Sequence, residues 1–595
     1  MSKIVRIGGA CAFYGDSSVA PTQLIKAGVD YLILDYLAEA TMAAFGGMRK
    51  AGHPVGYATD FTEWVWRDNL RDLKATGTKI VTNAGGLTPK ACAERMHDIA
   101  KEAGLSFRIA YVEGDDLIGR IGEISSHAEM FTGAPFPPHE QIMTVNAYLG
   151  GSPIARALAM GADMVITGRC VDSALTLGIL MHEFSWSADE HDKLSQGSLA
   201  GHVIECGAQA SGGLFTDWED VPDWANVGYP IIECHADGSF VVTKPEGTGG
   251  LVNEAVVAEQ ILYEVGDPQA YMLPDVVCDF SQVKVSDVGT NRVRVTGATG
   301  YPPSGKYKVC LTWADGYRCI GFMAVVGRDA VRKAQRQAEA VLERVNGMLR
   351  QTNLGPFRTS RIEVLGSEAS YGAHARALDT REVIYKLAVE HDDAIGLKPF
   401  LREFDSPTTS MSVGTAGWFG SRAEVRPVMR VWSTTIALDD VPLTISLGET
   451  SESMTVKAPA RVFAPEMIVR PMPVAAPKPA VHMREVLLID LAWARSGDKG
   501  DAFNIGVIAR KPDYLPWIRA ALSPESMMDW FAHEFEGGTN PAVLRYDVPG
   551  LKAVNLHFLD ALGGGQFASL RLDPLAKGKA QQLLDMPVNV PVGLV

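Results

Sequence analysis

The chain has 595 residues, 47% of them apolar and 21% charged, with a net charge of −15. That length exceeds the about 250–300 residues one hydrophobic core can serve, so several domains are expected. The acidic balance argues against a nucleic-acid partner, and the absence of any apolar run of about 18 residues argues against a membrane span.

Behind Lys3 and Arg6 the apolar stretch is broken by two glycines and then by Asp16, so no secretory signal is expected. The eight cysteines are scattered, with no C-x-x-C pair, which suggests neither a disulfide framework nor a zinc ribbon and fits a reduced, cytoplasmic compartment.

Up to about residue 245, short β-branched runs alternate with helical patterns, the pattern of an α/β body with a mostly parallel sheet covered by helices. Strands are predicted at Ile4–Ile7, Tyr31–Leu34, Lys79–Thr82, Phe107–Tyr111 and Met164–Thr167. A helix is predicted over Pro89–Ala103, with Thr88 as N-cap, Pro89 in the first turn and Gly104 as the stop. Each strand ends in polar residues. Asp16 follows the first, Asp35 and Glu39 the second, Asn83 with Gly85 and Gly86 the third, Glu113 with Asp115 and Asp116 the fourth, and Arg169 with Asp172 the fifth. The carboxyl ends of parallel strands lie on one side, so Asp16, Asp35, Glu39, Asn83, Arg169 and Asp172 are expected to line one cleft. Helix capping is the alternative role for any one of them.

Further along, Glu205, Cys206 and Gln209 stand beside flexible backbone, a set suited to acid/base or nucleophilic work, although Cys206 equally suits a small buried position. Lys244 and Glu246 precede a glycine-rich turn and a helical pattern from Asn253 to Val265, which reads as an anion site or a helix cap. Residues 246–457 form an α+β extension with longer strands and two helices, at 328–350 and 379–390. Several familiar chemistries are absent. The Gly300–Lys306 segment has Walker spacing, but Tyr307 replaces the metal-binding hydroxyl and two prolines remove amides, so it reads as a turn. No zincin helix, G-x-S-x-G elbow or dinucleotide fingerprint occurs, so neither zinc nor a dinucleotide is expected; a divalent metal on Asp and Glu oxygens stays open.

The prolines at 459, 465, 471, 473, 477 and 479 mark a semi-rigid linker over 458–483, which separates the body, 1–457, from a C-terminal domain, 484–595. In that domain the runs Val486–Leu491 and Ile505–Ala509 read as strands flanking a glycine-punctuated loop. Ser496, Lys499 and Asn504 are placed to bind an anionic part of a substrate, so that the domain completes a site; an ordinary hairpin with solvated charges is the alternative. Asp498 and Asp501 would repel an anion unless they turn outward, bind a cation or act in catalysis.

The segments Gly8-Gly9 through Gly15-Asp16-Ser17, Asp35-Tyr36-Leu37-Ala38-Glu39, Thr82-Asn83-Ala84-Gly85-Gly86, Ile166-Thr167-Gly168-Arg169 with Asp172, Glu205-Cys206-Gly207-Ala208-Gln209, Lys244 to Gly250 and Ser496 to Ile505 together resemble the acyclic terpene utilisation protein A (AtuA) family over nearly the whole chain. Ala12 departs from the glycine expected there. The resemblance implies a ferredoxin-like C-terminal domain and a role in catabolism of citronellol- or geraniol-type branched acids carried as CoA thioesters. On that basis the expected chemistry is hydratase- or lyase-like, with thioester hydrolysis or a non-catalytic assembly subunit as alternatives. The candidate catalytic residues are Asp16, Asp35, Glu39, Asp172 and Glu205. The candidate substrate-binding residues are Asn83, Gly85, Gly86, Arg169, Gln209, Lys244, Ser496, Lys499 and Asn504. The expected partners are a branched acid or acyl-CoA and further copies of the chain, as a homo-oligomer.

Overall fold

The computed structural model describes residues 3–478 and 481–595; Pro479 of the linker lies outside them. Five parallel strands form the centre of the body, in the order Ile4–Gly9, Tyr31–Leu34, Lys79–Thr82, Met164–Ile166 and Ile109–Glu113. Their apolar runs are continuous because both faces are covered. Tyr31, Ile33, Val81 and Val165 pack under the helices Ser152–Ala159, Ala174–Phe184 and His191–Ile204. Leu32, Leu34, Ile80 and Ile166 pack on the other side under Val19–Lys26, Arg67–Thr76 and Pro89–Glu102. Antiparallel strands extend both edges to a total of eleven. Thr88 stands at the N-cap of Pro89–Glu102, but its hydroxyl makes no capping bond.

The extension is built on one long strand, Lys306–Val326, which pairs antiparallel with Ile142–Ala147 of the body and with Glu382–His391, Thr415–Trp418 and Val425–Ala437. The helix expected at 328–350 is present as Ala330–Thr352. The helix expected at 379–390 is instead the strand Glu382–His391. Its charges gave it a helical look, yet they find partners across the sheet: Lys386 binds Glu363 at 2.7 Å, and Glu390 binds Arg318. Its other face, Val383, Tyr385, Leu387 and Val389, is buried with Val341 and Val345 of the long helix. Pairing on both edges outweighs local propensity here.

The C-terminal domain is a small α+β unit with its own core. Its antiparallel sheet runs Ala492–Lys499, Ala502–Ala509, Ala553–Leu559, Ala542–Val548. The segment read as a loop from Ser496 to Asn504 is mostly strand: Ser496 pairs with Ile505, Gly497 with Asn504 and Lys499 with Ala502. Only Gly500 and Asp501 turn, with Gly500 at φ +64°. The polar side chains tolerate this because they meet polar partners rather than solvent. The first expected strand is Met483–Leu487, which pairs with Pro587–Pro591 and gives way to a 3-10 turn at Leu488–Asp490.

The linker lies along the body. Phe463 N donates to Pro303 O at 3.1 Å, and Arg470 pairs with Asp267 at 2.6 Å. The two parts meet through an apolar seam, in which Ile508, Val548, Leu551 and Ala553 are buried with the body's core, and through polar bonds. Asp217 takes Trp493 Nε1 at 2.6 Å and both Arg510 terminal nitrogens, and Asn555 Nδ2 donates to Val265 O at 2.8 Å. No helix among the described residues is long and apolar enough to cross a membrane.

At this junction Glu259, 2% exposed, accepts from Thr216 Oγ1 at 2.5 Å, and that hydroxyl accepts from Ala494 N at 3.1 Å. Burial pushes the Glu259 carboxyl up from 4.5 to about 8, while Thr216 and Arg495 oppose the rise only in part. The folded chain therefore holds a proton that the unfolded chain releases. This contribution to stability is full below the unfolded value and is lost as pH rises through about 8. Glu259→Gln is expected to gain stability relative to wild type between pH 5 and pH 8, read from urea midpoints; a difference that stays constant across that range would contradict this.

Candidate functional site

The loops after the parallel strands open on one side, and the site is built there. Asp35 follows Tyr31–Leu34 and is buried; its Oδ1 accepts from Leu37 N at 3.2 Å and from Asn83 Nδ2 at 2.7 Å. Asn83, at the end of the next strand, accepts from Tyr36 N at 2.7 Å, so the two strand ends are stitched together. Arg169 follows Met164–Ile166 and is 3% exposed. Its Nη1 donates to Cys170 O at 2.9 Å and to Asp172 Oδ1 at 2.8 Å, and its guanidinium lies 4.1 Å from the centre of the Tyr148 ring. Its backbone N donates to Asp115 Oδ2 at 2.8 Å, and Asp115 also accepts from Asn146 Nδ2.

Glu205 comes from elsewhere, at the C-terminal end of His191–Ile204. Gly9 lets that helix end approach, since a Cβ there would sit 2.2 Å from Ile204 O. One oxygen each from Asp35, Asp172 and Glu205 thereby comes within 4.8 Å of the others. Glu39 opens the helix Glu39–Lys50 and accepts from Tyr148 OH at 2.6 Å.

The C-terminal domain supplies the cations. Lys499, at the hairpin tip, places Nζ 2.8 Å from Glu264 and 4.0 Å from Asp172. Lys577 binds the other Glu264 oxygen at 3.0 Å, lies 3.5 Å from Asp498 and donates to Tyr263 OH. The hairpin docks this closely because Gly497 has no side chain; a Cβ would lie 2.4 Å from Glu264 Cγ. Lys308, on the long strand of the extension, reaches to 5.0 Å from the Tyr148 ring centre.

These charges split the carboxyl groups into two kinds. Burial raises Glu205 to about 7, helped by Asp172 and opposed by His202. Burial also raises Asp35, as does Asp172, against Arg169 and Asn83. For Glu39 burial is outweighed by Lys308, Arg169 and Lys499, which bring it down to about 2. Burial raises Asp498 to about 7, with Glu264 adding to it. Burial pulls Lys499 down, but Glu264 and Asp172 more than reverse this and hold it charged. Burial pushes the Cys206 thiol well up, which leaves it protonated and a poor nucleophile. Proton-holding and ionised carboxyl groups thus stand side by side under a lysine, an arrangement able to carry protons to and from a bound carbonyl compound.

Of the residues singled out in the sequence, Asp35, Glu39, Asn83, Arg169, Asp172, Glu205 and Lys499 gather at this place. Asp16 instead caps its own loop, accepting from Ala12 N and Ser17 N at 2.9 and 2.6 Å. Gly85 and Gly86 turn the chain into Pro89–Glu102. Lys244 Nζ closes its own turn on Thr248 O at 2.7 Å. Gln209 accepts from Arg495 across the domain junction. Ser496 donates to Ala576 O at 2.6 Å, and Asn504 donates to Leu262 O at 2.7 Å and to Asn555. These residues fix turns and the junction, because polar side chains on docked strands bond to the surface they cover. Tyr148, His202, Glu264, Lys308 and Lys577 belong to the site without a sequence signal that set them apart, except that His202 lies three residues before Glu205. A separate cleft of 490 Å³, lined by His97, Arg108, Arg156 and Glu452, lies at the amino ends of the strands, and its Arg156 is already paired with Glu452 at 2.7 Å.

No curated protein and no solved structure matches the chain. A family model described as the acyclic terpene utilisation family protein AtuA matches residues 5–447, and one described as the AtuA ferredoxin-like domain matches residues 486–589. The first match spans the whole parallel sheet with its carboxylate loops and the second the domain that brings Lys499 to them: the chain belongs to the acyclic terpene utilisation (AtuA) family.

Proposed function

We propose that the protein is an enzyme of acyclic terpene breakdown that acts on a branched acyl-CoA or the related carboxylic acid by hydratase- or lyase-like acid/base chemistry. The reading rests on Lys499, which stands 4.0 Å from Asp172 where Asp35, Asp172 and Glu205 converge. Hydration and carbon–carbon cleavage next to a thioester share one requirement: a proton moves at the carbon beside a carbonyl whose oxygen gains negative charge. A carboxylate moves the proton and a fixed cation stabilises the oxygen. In hydration, water gives its hydroxyl to the outer carbon and its proton to an ionised carboxylate, while a protonated carboxyl group delivers a proton to the inner carbon. Membership of the acyclic terpene utilisation family supports a branched terpenoid acid or its thioester as the substrate.

The test is to incubate the full-length protein with branched acyl-CoA thioesters of the citronellol and geraniol type and to analyse products by mass spectrometry. Gain of water or chain cleavage is expected, with Asp172→Asn at least about 100-fold slower, the usual scale of a lost proton-transfer group. No product with any such thioester or free acid would favour an assembly subunit, and equal turnover by the variant would place the chemistry away from Asp172.

A further inference from the structure

We propose that Asp35, Asp172 and Glu205 bind one hard divalent cation of the magnesium or manganese class. The inference is independent of the reaction assigned above, since it concerns binding alone.

The geometry is that of a coordination sphere. Oxygens facing each other across a cation, each about 2.0–2.6 Å from it, lie about 4–5 Å apart. The three carboxylate oxygens all fall within 4.8 Å of one another. They come from the end of the strand Tyr31–Leu34, the turn just before the helix Ala174–Phe184 and the end of the helix His191–Ile204, so three separate elements set their spacing. The protein leaves ligand capacity free. Asp35 and Asp172 spend Oδ1 on Asn83 and Arg169, while Asp172 Oδ2 has only Lys499 nearby, at 4.0 Å. Lys499 is committed first to Glu264 at 2.8 Å, which leaves the three carboxyl groups chiefly Arg169, bound to Asp172, as counter-charge.

A second observation is independent of the carboxylates. His202 is 1% exposed, and neither ring nitrogen has a hydrogen-bond partner among the described residues; Nδ1 faces Glu205 Oε1 at 3.3 Å without bond geometry. Arg169 Nε, also buried beside Asp172, is unpartnered as well. Buried polar groups are rarely left so; His202 Nδ1 stands beside Glu205, and the Arg169 guanidinium binds Asp172. A cation with its waters would give these nitrogens partners, and a slight turn of Glu205 toward the metal would be supported from behind by the imidazole. Carboxylate oxygens without thiolate or ligating imidazole suit hard cations such as magnesium or manganese.

The experiment titrates chelator-stripped full-length protein with manganese, reading free ion by electron paramagnetic resonance. One saturable site per chain is expected, with affinity at least tenfold lower in Asp172→Asn and in Asp35→Asn, each checked for an unchanged circular-dichroism melt. Two sites are tested so that, if one variant misfolds, the other still decides. Absence of saturable binding, or equal binding by both folded variants, would overturn the proposal. Manganese binding that appears only in Lys499→Met would do so too, since the lysine would then be the cluster's own counter-charge.

Discussion

Arg169→Met is expected to lower the unfolding free energy by about 3–5 kcal/mol, the cost of breaking a buried ion pair from one side. Methionine keeps much of the length of the stem but loses the guanidinium's contact with the Tyr148 ring, so the loss covers both the ion pair and that contact. Without it, Asp172 Oδ1 loses its 2.8 Å donor, and Cys170 O loses a partner in a region where nothing else nearby is cationic except Lys308 and Lys499. The backbone bond from residue 169 to Asp115 survives, which keeps the loop in place. Urea unfolding followed by circular dichroism measures the change. A loss below about 1 kcal/mol, the range of exposed pairs, would show that Arg169 is not the counter-charge of the cluster.

Lys499→Met is expected to do the reverse: little change in stability and a large one in turnover. The side chain is 52% exposed, and Glu264 keeps Lys577 as a partner, so the domain stays docked. Loss of a charged contact of about 1.5–3 kcal/mol to the reacting oxygen lowers kcat/KM by roughly 10- to 150-fold. Lys499→Arg should recover part of it. Should kcat/KM stay unchanged in the methionine variant while the affinity of the two parts falls, Lys499 would be a docking residue and not part of the chemistry.

Much of the body was legible because central parallel strands are short, apolar throughout and followed by polar loops. Asp35, Asn83, Arg169 and Asp172 were found by that rule, and the structure sets them next to each other. What was not legible depends on partners far along the chain. Nothing around Lys308 shows that its strand will pair beside Tyr148. Glu264 sits after a helix at a left-handed φ of +59°, a conformation uncommon for glutamate, and only the arriving hairpin with Lys499 and Lys577 gives it a role. The same cause explains the two revised elements. Glu382–His391 and Ala492–Lys499 carry polar residues whose partners lie on a neighbouring sheet or domain, so their patterns could not be read from the segments alone.

The covalent connection through residues 458–478 has a consequence for how firmly the two parts must hold each other. A tethered domain meets its partner at an effective concentration of about millimolar, whatever the amount of protein in the cell. The tether thus reinforces a junction that already joins polar bonds to a buried apolar seam of Ile508, Val548, Leu551 and Ala553, and it keeps Lys499 over the carboxylates at any dilution. Severing the chain in that stretch would turn a property of one molecule into one that depends on dilution.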